Sequence, residues 1–127
     1  MDGGHWVLQM KMNKKGFTLI EIMIIVAIIG LLAIICIPYI LGAYSNAMGS
    51  AKARNIADIN KAKARLTLPP ETGGEGYVDS TEVDDTVKGK INTLLRITSV
   101  SNLAVGKMLP DYGATIGDSA KYTVAPK

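Results

Sequence analysis

Gly16 to Leu41 reads GFTLIEIMIIVAIIGLLAIICIPYIL, and this stretch decides the fold. No residue from Ile22 to Ile40 is charged, and the run is long enough to cross a bilayer core of ~30 Å, which takes roughly 20 residues as helix. Only Glu21 breaks its apolar character. Lys14 and Lys15 stand just before it and the next base is Lys52, so the lysine bias places the amino end in the cytoplasm and the remainder outside. A carboxylate at bilayer depth costs about 3 kcal/mol on insertion scales, so Glu21 calls for a partner. In a helix beginning at Phe17 it lies one turn on, on the same face as residue 17. Snorkelling to the headgroups is the plainer reading, because Glu21 lies near the end of the span.

Pro38 removes a backbone hydrogen bond and is expected to kink or loosen the helix over residues 34–38, with Gly42 a second weak point. Thr18, Ala27, Gly30, Ala33 and Gly42 are small and would let another helix approach closely, although ordinary membrane-helix composition accounts for them equally well. Cys36 is the only cysteine, so no intramolecular disulfide forms, and its apolar surroundings mark it as an inert packing residue. A lipoprotein anchor at Cys36 is disfavoured, since Ile34 and Ile35 stand where small residues would be needed.

The combination of Lys14, Lys15 and Gly16 with Phe17, Thr18, Leu19, Ile20 and Glu21 ahead of a long apolar helix resembles the prepilin signal of type IV pilins and type II secretion pseudopilins. An ordinary secretory signal has a shorter apolar region followed by its cleavage site; here the glycine comes first. The resemblance implies cleavage between Gly16 and Phe17 by a prepilin peptidase that also methylates the new amine of Phe17, with Lys14 and Lys15 as the basic recognition element. It further implies that Glu21 pairs with the N-terminal amine of a neighbouring subunit, and that Pro38 and Gly42 fall where the family bends its first helix. Residues 1–11 show no period, and Met12 would start a compact leader, so Met1 and Met12 both stand as candidate starts. His5, the only histidine, has no partners for catalysis.

From Ser45 to Leu66 the pattern becomes amphipathic: Met48, Ala51, Asn55, Ile59, Ala62 and Leu66 follow steps of three and four on one stripe. Arg54, Asp58, Lys61 and Arg65 occupy the opposite arc, where Asp58 pairs with a base one turn away. The helix therefore continues out of the membrane, and Pro69 and Pro70 end it. Roughly 50 residues at 1.5 Å give a rod of about 75 Å. Lys52, Arg54, Lys61, Lys63 and Arg65 admit a DNA-binding face, but a solvated helix face is favoured, since no aromatic residue interleaves to stack on bases. Glu71 to Tyr77 reads as a flexible glycine-rich loop without the features of a phosphate loop.

Ser80 or Thr81 would cap a second helix with Glu82, Asp84 and Asp85 in its first turn and Val83, Val87, Ile91, Leu94 and Leu95 on its apolar face, Gly89 threatening to break it. Asp79, Glu82, Asp84 and Asp85 admit a calcium site, as in some major pseudopilins, but helix-start acids are the safer reading. Tyr112 to Ile116 and Lys121 to Val124, around Gly117, Asp118 and Ser119, suggest a β-hairpin packed on the long helix. The expected fold is thus α+β and pilin-like: leader 1–16, membrane and assembly helix 17–42, its amphipathic continuation 43–68, and a small C-terminal part 69–127. With roughly 60 residues beyond the helix, that part has little core of its own.

Of the 127 residues, 14 are basic and 11 acidic; from Phe17 onward the balance is 11 to 10, so charge demands no nucleic-acid partner. No nucleophile, base and orienting group can be assembled, so an enzyme is not expected, nor a cofactor, bound metal or small-molecule substrate. The expected role is a structural subunit, held by a single span in a bacterial inner membrane and assembled with copies of itself and other pilin-like subunits by an inner-membrane platform. The small domain and the absence of paired cysteines lean slightly toward a secretion pseudopilus over a pilus. The alternative is a minor pilin that binds DNA or a secreted substrate at the filament tip.

Overall fold

The computed structural model describes residues 16–124. Its elements are α1 (Leu19–Thr67), a 3-10 turn (Pro70–Thr72), α2 (Asp85–Leu95), a second 3-10 turn (Val100–Leu103), β1 (Met108–Asp111) and β2 (Lys121–Val124), so the fold is α+β. The chain separates into two units, one ending at Ile40 and the other beginning at Leu41.

In the first unit every large apolar side chain from Leu19 to Ile40 is exposed, over a span of mean hydropathy 3.1. So much contiguous apolar surface requires lipid or protein to cover it. The α1 helix runs unbroken through Pro38 and Gly42.

The second unit has one core. α1 contributes Ile59, Ala62 and Leu66; Val83 precedes α2, which adds Val87 and Ile91; Tyr112, Ile116 and Ala120 come from the segment joining β1 to β2. Met48 and Asn55 of the expected stripe are half-buried and Ala51 is exposed, so burial deepens toward the end of α1. There the orphan carbonyls are satisfied by the following loop: Glu75 and Tyr77 donate to the Leu66 carbonyl and Gly76 to that of Leu68, as a helix end requires. Glu75 also pairs with Lys90 of α2.

α2 starts later than Ser80 or Thr81. Asp84 is its cap, in extended backbone, its carboxylate accepting the Val87 N–H at 2.8 Å. Thr81 is already committed elsewhere: its hydroxyl accepts from Val78 N–H and its carbonyl from Ile116. Gly89 does not break α2, because it lies on the exposed side of a helix held by Val87 and Ile91 in the core. Removing the cap with Asp84→Ala should cost about 1 kcal/mol, seen as faster amide exchange in the first turn of α2.

The sheet is a two-stranded antiparallel pair with Met108 opposite Val124, Leu109 opposite Thr123, Pro110 opposite Tyr122 and Asp111 opposite Lys121. β2 matches the expected second strand; the first lies at Met108–Asp111, not Tyr112–Ile116. Tyr112 and Ile116, four residues apart, both enter the core instead of alternating. The backbone of this segment pairs with residues 81–83: Val83 donates to the Ala114 carbonyl and Ile116 to Thr81, both at 2.9 Å.

Candidate functional site

Gly16 and Phe17 lie in irregular backbone ahead of α1, and Phe17 is 80% exposed. Lys14, Lys15 and His5 lie outside the described residues. Thr18 and Glu21 interlock at the first turn: the Thr18 N–H donates to Glu21 Oε2 at 3.1 Å, and the Glu21 N–H donates to Thr18 Oγ1 at 3.3 Å. With Thr18 before the first helical residue and Glu21 three positions on, this is a capping box. Glu21 thus has a hydrogen-bond partner within its own chain. The signal was present in the sequence as Thr18-Leu19-Ile20-Glu21, the Thr-x-x-Glu pattern ahead of an apolar run.

The second arrangement surrounds Lys63, which is 2% exposed. Its ammonium donates to the backbone carbonyls of Tyr112, at 2.6 Å, and Asp118. Gly113 lies between these carbonyls in chain order with a φ of +85°, a left-handed conformation suited to glycine. A side chain there would also press within 3.2 Å of Lys63 Nζ. Around Lys63, Asn60 Oδ1 accepts the Ala120 N–H at 3.0 Å, and Asn55 Nδ2 donates to the Leu103 carbonyl at 3.0 Å and to the Tyr122 hydroxyl. Polar side chains of α1 therefore hold residues from Leu103 to Tyr122, all through their backbone except Tyr122, which is held by its hydroxyl. The solvated face expected for Lys63 is corrected: position 63 follows Ile59 by four and precedes Leu66 by three, which places it on the buried stripe.

Burial lowers the Lys63 pKa below 10.5, with Asp118 and Asp111 opposing. Burial raises that of Tyr112 above 10.0, its hydrogen bond to Asn92 opposing. Between the folded Lys63 value and 10.5 the unfolded chain holds a proton that the folded chain has lost, so Lys63 makes stability rise with pH through that window. Tyr112 acts oppositely, because its folded form keeps a proton that the unfolded chain loses, and stability falls as pH passes 10.0. A Lys63→Met chain should therefore lack this rise, losing stability relative to the unmodified chain as pH climbs toward 10.5 and running parallel to it beyond, as read by denaturant melts at stepped pH.

A model of the prokaryotic N-terminal methylation motif matches residues 11–37, which include Gly16, Phe17, the capping box and most of the apolar run. Over this stretch the chain resembles type IV pilins. It is 38% identical over 69 residues to a type IV major fimbrial protein, FimA, of Dichelobacter nodosus. That match takes in 54% of this chain and 44% of the relative, so the chain spans less than half the length of the curated protein it matches. No solved structure matches it.

Elsewhere in the chain, the suggested basic face is reduced by two members. Lys63 is buried, and half-buried Lys52 sets its ammonium 3.0 Å from Met108 Sδ. Arg54, Lys61 and Arg65 remain exposed, Arg54 facing Asp58 at 3.9 Å. Of the four acids considered for calcium, Asp84 caps α2 and Asp85 pairs with Lys88 at 3.3 Å. Among the described residues no three histidine, cysteine or acidic side chains converge.

Proposed function

We infer that this chain is a structural subunit cut between Gly16 and Phe17 by a prepilin peptidase, methylated on the new amine of Phe17 and anchored by α1 with its amino end cytoplasmic. It is then assembled with other copies into a filament by an inner-membrane platform. The observation that carries this reading is the methylation motif over residues 11–37, which coincides with a scissile Gly16–Phe17 bond exposed ahead of α1. The exposed apolar flank of α1 first faces lipid and then other subunits, and Pro38 with Gly42 lets the helix adjust during that transfer. Glu21 exchanges its bond to Thr18 for the amine of a neighbouring Phe17. Similarity to a protein named as type IV major fimbrial favours a pilus-type filament over a secretion pseudopilus.

The test is maturation. In a host carrying the peptidase, Gly16→Ala should leave the full-length chain uncut, whereas the unmodified chain should yield a product beginning at Phe17 with the added mass of one methyl group. A Gly16→Ala chain that still matured to the same product would overturn the reading.

A further inference from the structure

The second unit carries opposite charges on the two sides of α1. At about 100° per residue, Asp58, Lys61 and Arg65 fall to one side of the buried Ile59–Leu66 line, where they border a cleft of about 220 Å³ with Leu94 and Leu95 of α2. Asn60, Ala64 and Thr67 fall to the other side and border a cleft of about 300 Å³ with Asp79, Asp118 and Ser119. The Glu82–Thr115 bridge and the bond from Gly117 N–H to the Asp79 carbonyl gather Asp79, Glu82 and Asp118 on that side. Lys61, Arg65, Asp79 and Glu82 are all exposed, and among the described residues none has an ion-pair partner. Between the two sides, the exposed surface of α1 carries Ser50, Ala53 and Ala57, small enough for another backbone to come close.

We propose that these sides are the two halves of one interface between successive copies of this chain, Lys61 and Arg65 of one copy meeting Asp79 and Glu82 of the next. This rests on the filament reading above and adds which surfaces meet. A two-fold partner laid across the small-residue face of α1 would also pair both sides but stops at two copies, so it is the filament reading that selects the head-to-tail contact. Head-to-tail repetition satisfies both sides of every internal copy, and a repeat that does not close becomes a helical filament. Each exposed pair is weak alone, but the contact recurs at every subunit.

The test uses the full chain in a host that assembles it, measuring sedimentable filament. Lys61→Glu with Arg65→Glu, and separately Asp79→Lys with Glu82→Lys, should each lower the yield about tenfold. All four changes together should return it to within about threefold of the unmodified chain, since the pairs couple. Unchanged yield after either reversal, or no recovery in the fourfold variant, would overturn this interface while leaving the filament reading intact. Absence of filaments from the unmodified chain would instead overturn that reading, and the interface with it. Cross-linking gives a check independent of charge: with Cys36→Ser, the pair Lys61→Cys and Asp79→Cys should oxidise to a ladder of multimers, whereas either cysteine alone stays monomeric. Dimers from one cysteine alone, or a double-cysteine chain whose cross-linking stops at the dimer, would mark a two-fold contact and refute the proposal.

Discussion

Glu21→Ala is expected to leave the chain correctly cut ahead of Phe17 yet lower filament yield roughly a hundredfold or more. Leaving one member of a buried charge pair alone costs about 3 to 5 kcal/mol, and in the proposed assembly the stranded group is the amine of Phe17. The capping box adds a complication, because alanine also removes the acceptor of the Thr18 N–H, worth about 1 kcal/mol. Glu21→Gln separates the two effects. Glutamine serves in a capping box as glutamate does, so it keeps both bonds to Thr18 and loses only the charge. If charge pairing is the role, the Gln and Ala variants should fail alike, as judged by sheared-filament yield beside mass spectrometry of the processed chain. A Gln variant that assembles normally would assign Glu21 to helix capping and remove the pairing role.

Lys63→Ala is the substitution expected to damage the second unit most. It removes the donor to two backbone carbonyls and opens a cavity beside Ile59 and Tyr112, for a combined loss of about 3 to 5 kcal/mol. With so small a core, that is enough to unfold much of the unit. Lys63→Met refills most of the volume without restoring a donor and should lose about 1 to 3 kcal/mol. Thermal unfolding of the full chain in detergent, followed by near-ultraviolet circular dichroism of the tyrosines, ranks the two. Equal stability of all three chains would show that the carbonyls of Tyr112 and Asp118 do not depend on the ammonium.

What was legible in the sequence follows from how far each signal is local. The apolar run, the prepilin-type motif and the amphipathic stripe are short-range patterns, and each led to α1 and its amino end. The second helix was also visible, but its cap was misplaced, because Ser80, Thr81 and Asp84 are all good caps and only tertiary bonding decides among them. The Ile116 N–H takes the Thr81 carbonyl, leaving Asp84 free to start the helix. Pro110 disguised β1, since proline demotes a strand on sequence grounds. Tyr112 and Ile116, which looked like strand residues, serve as core anchors. Lys63 was hidden by its residue type: a lysine on an otherwise apolar stripe reads as solvent-facing until the carbonyls it serves, 49 and 55 positions away, are known.

That separation also orders the chain's own synthesis. As the polypeptide emerges, α1 is complete long before residues 112–118 exist, and until they arrive the amine of Lys63 is a hydrated charge on the stripe that should be closing. Contacts this distant in sequence form late, after the loop between them has been confined. Chains released before Asp118 should thus present α1 with its apolar stripe uncovered, the condition in which quality-control proteases recognise a nascent protein.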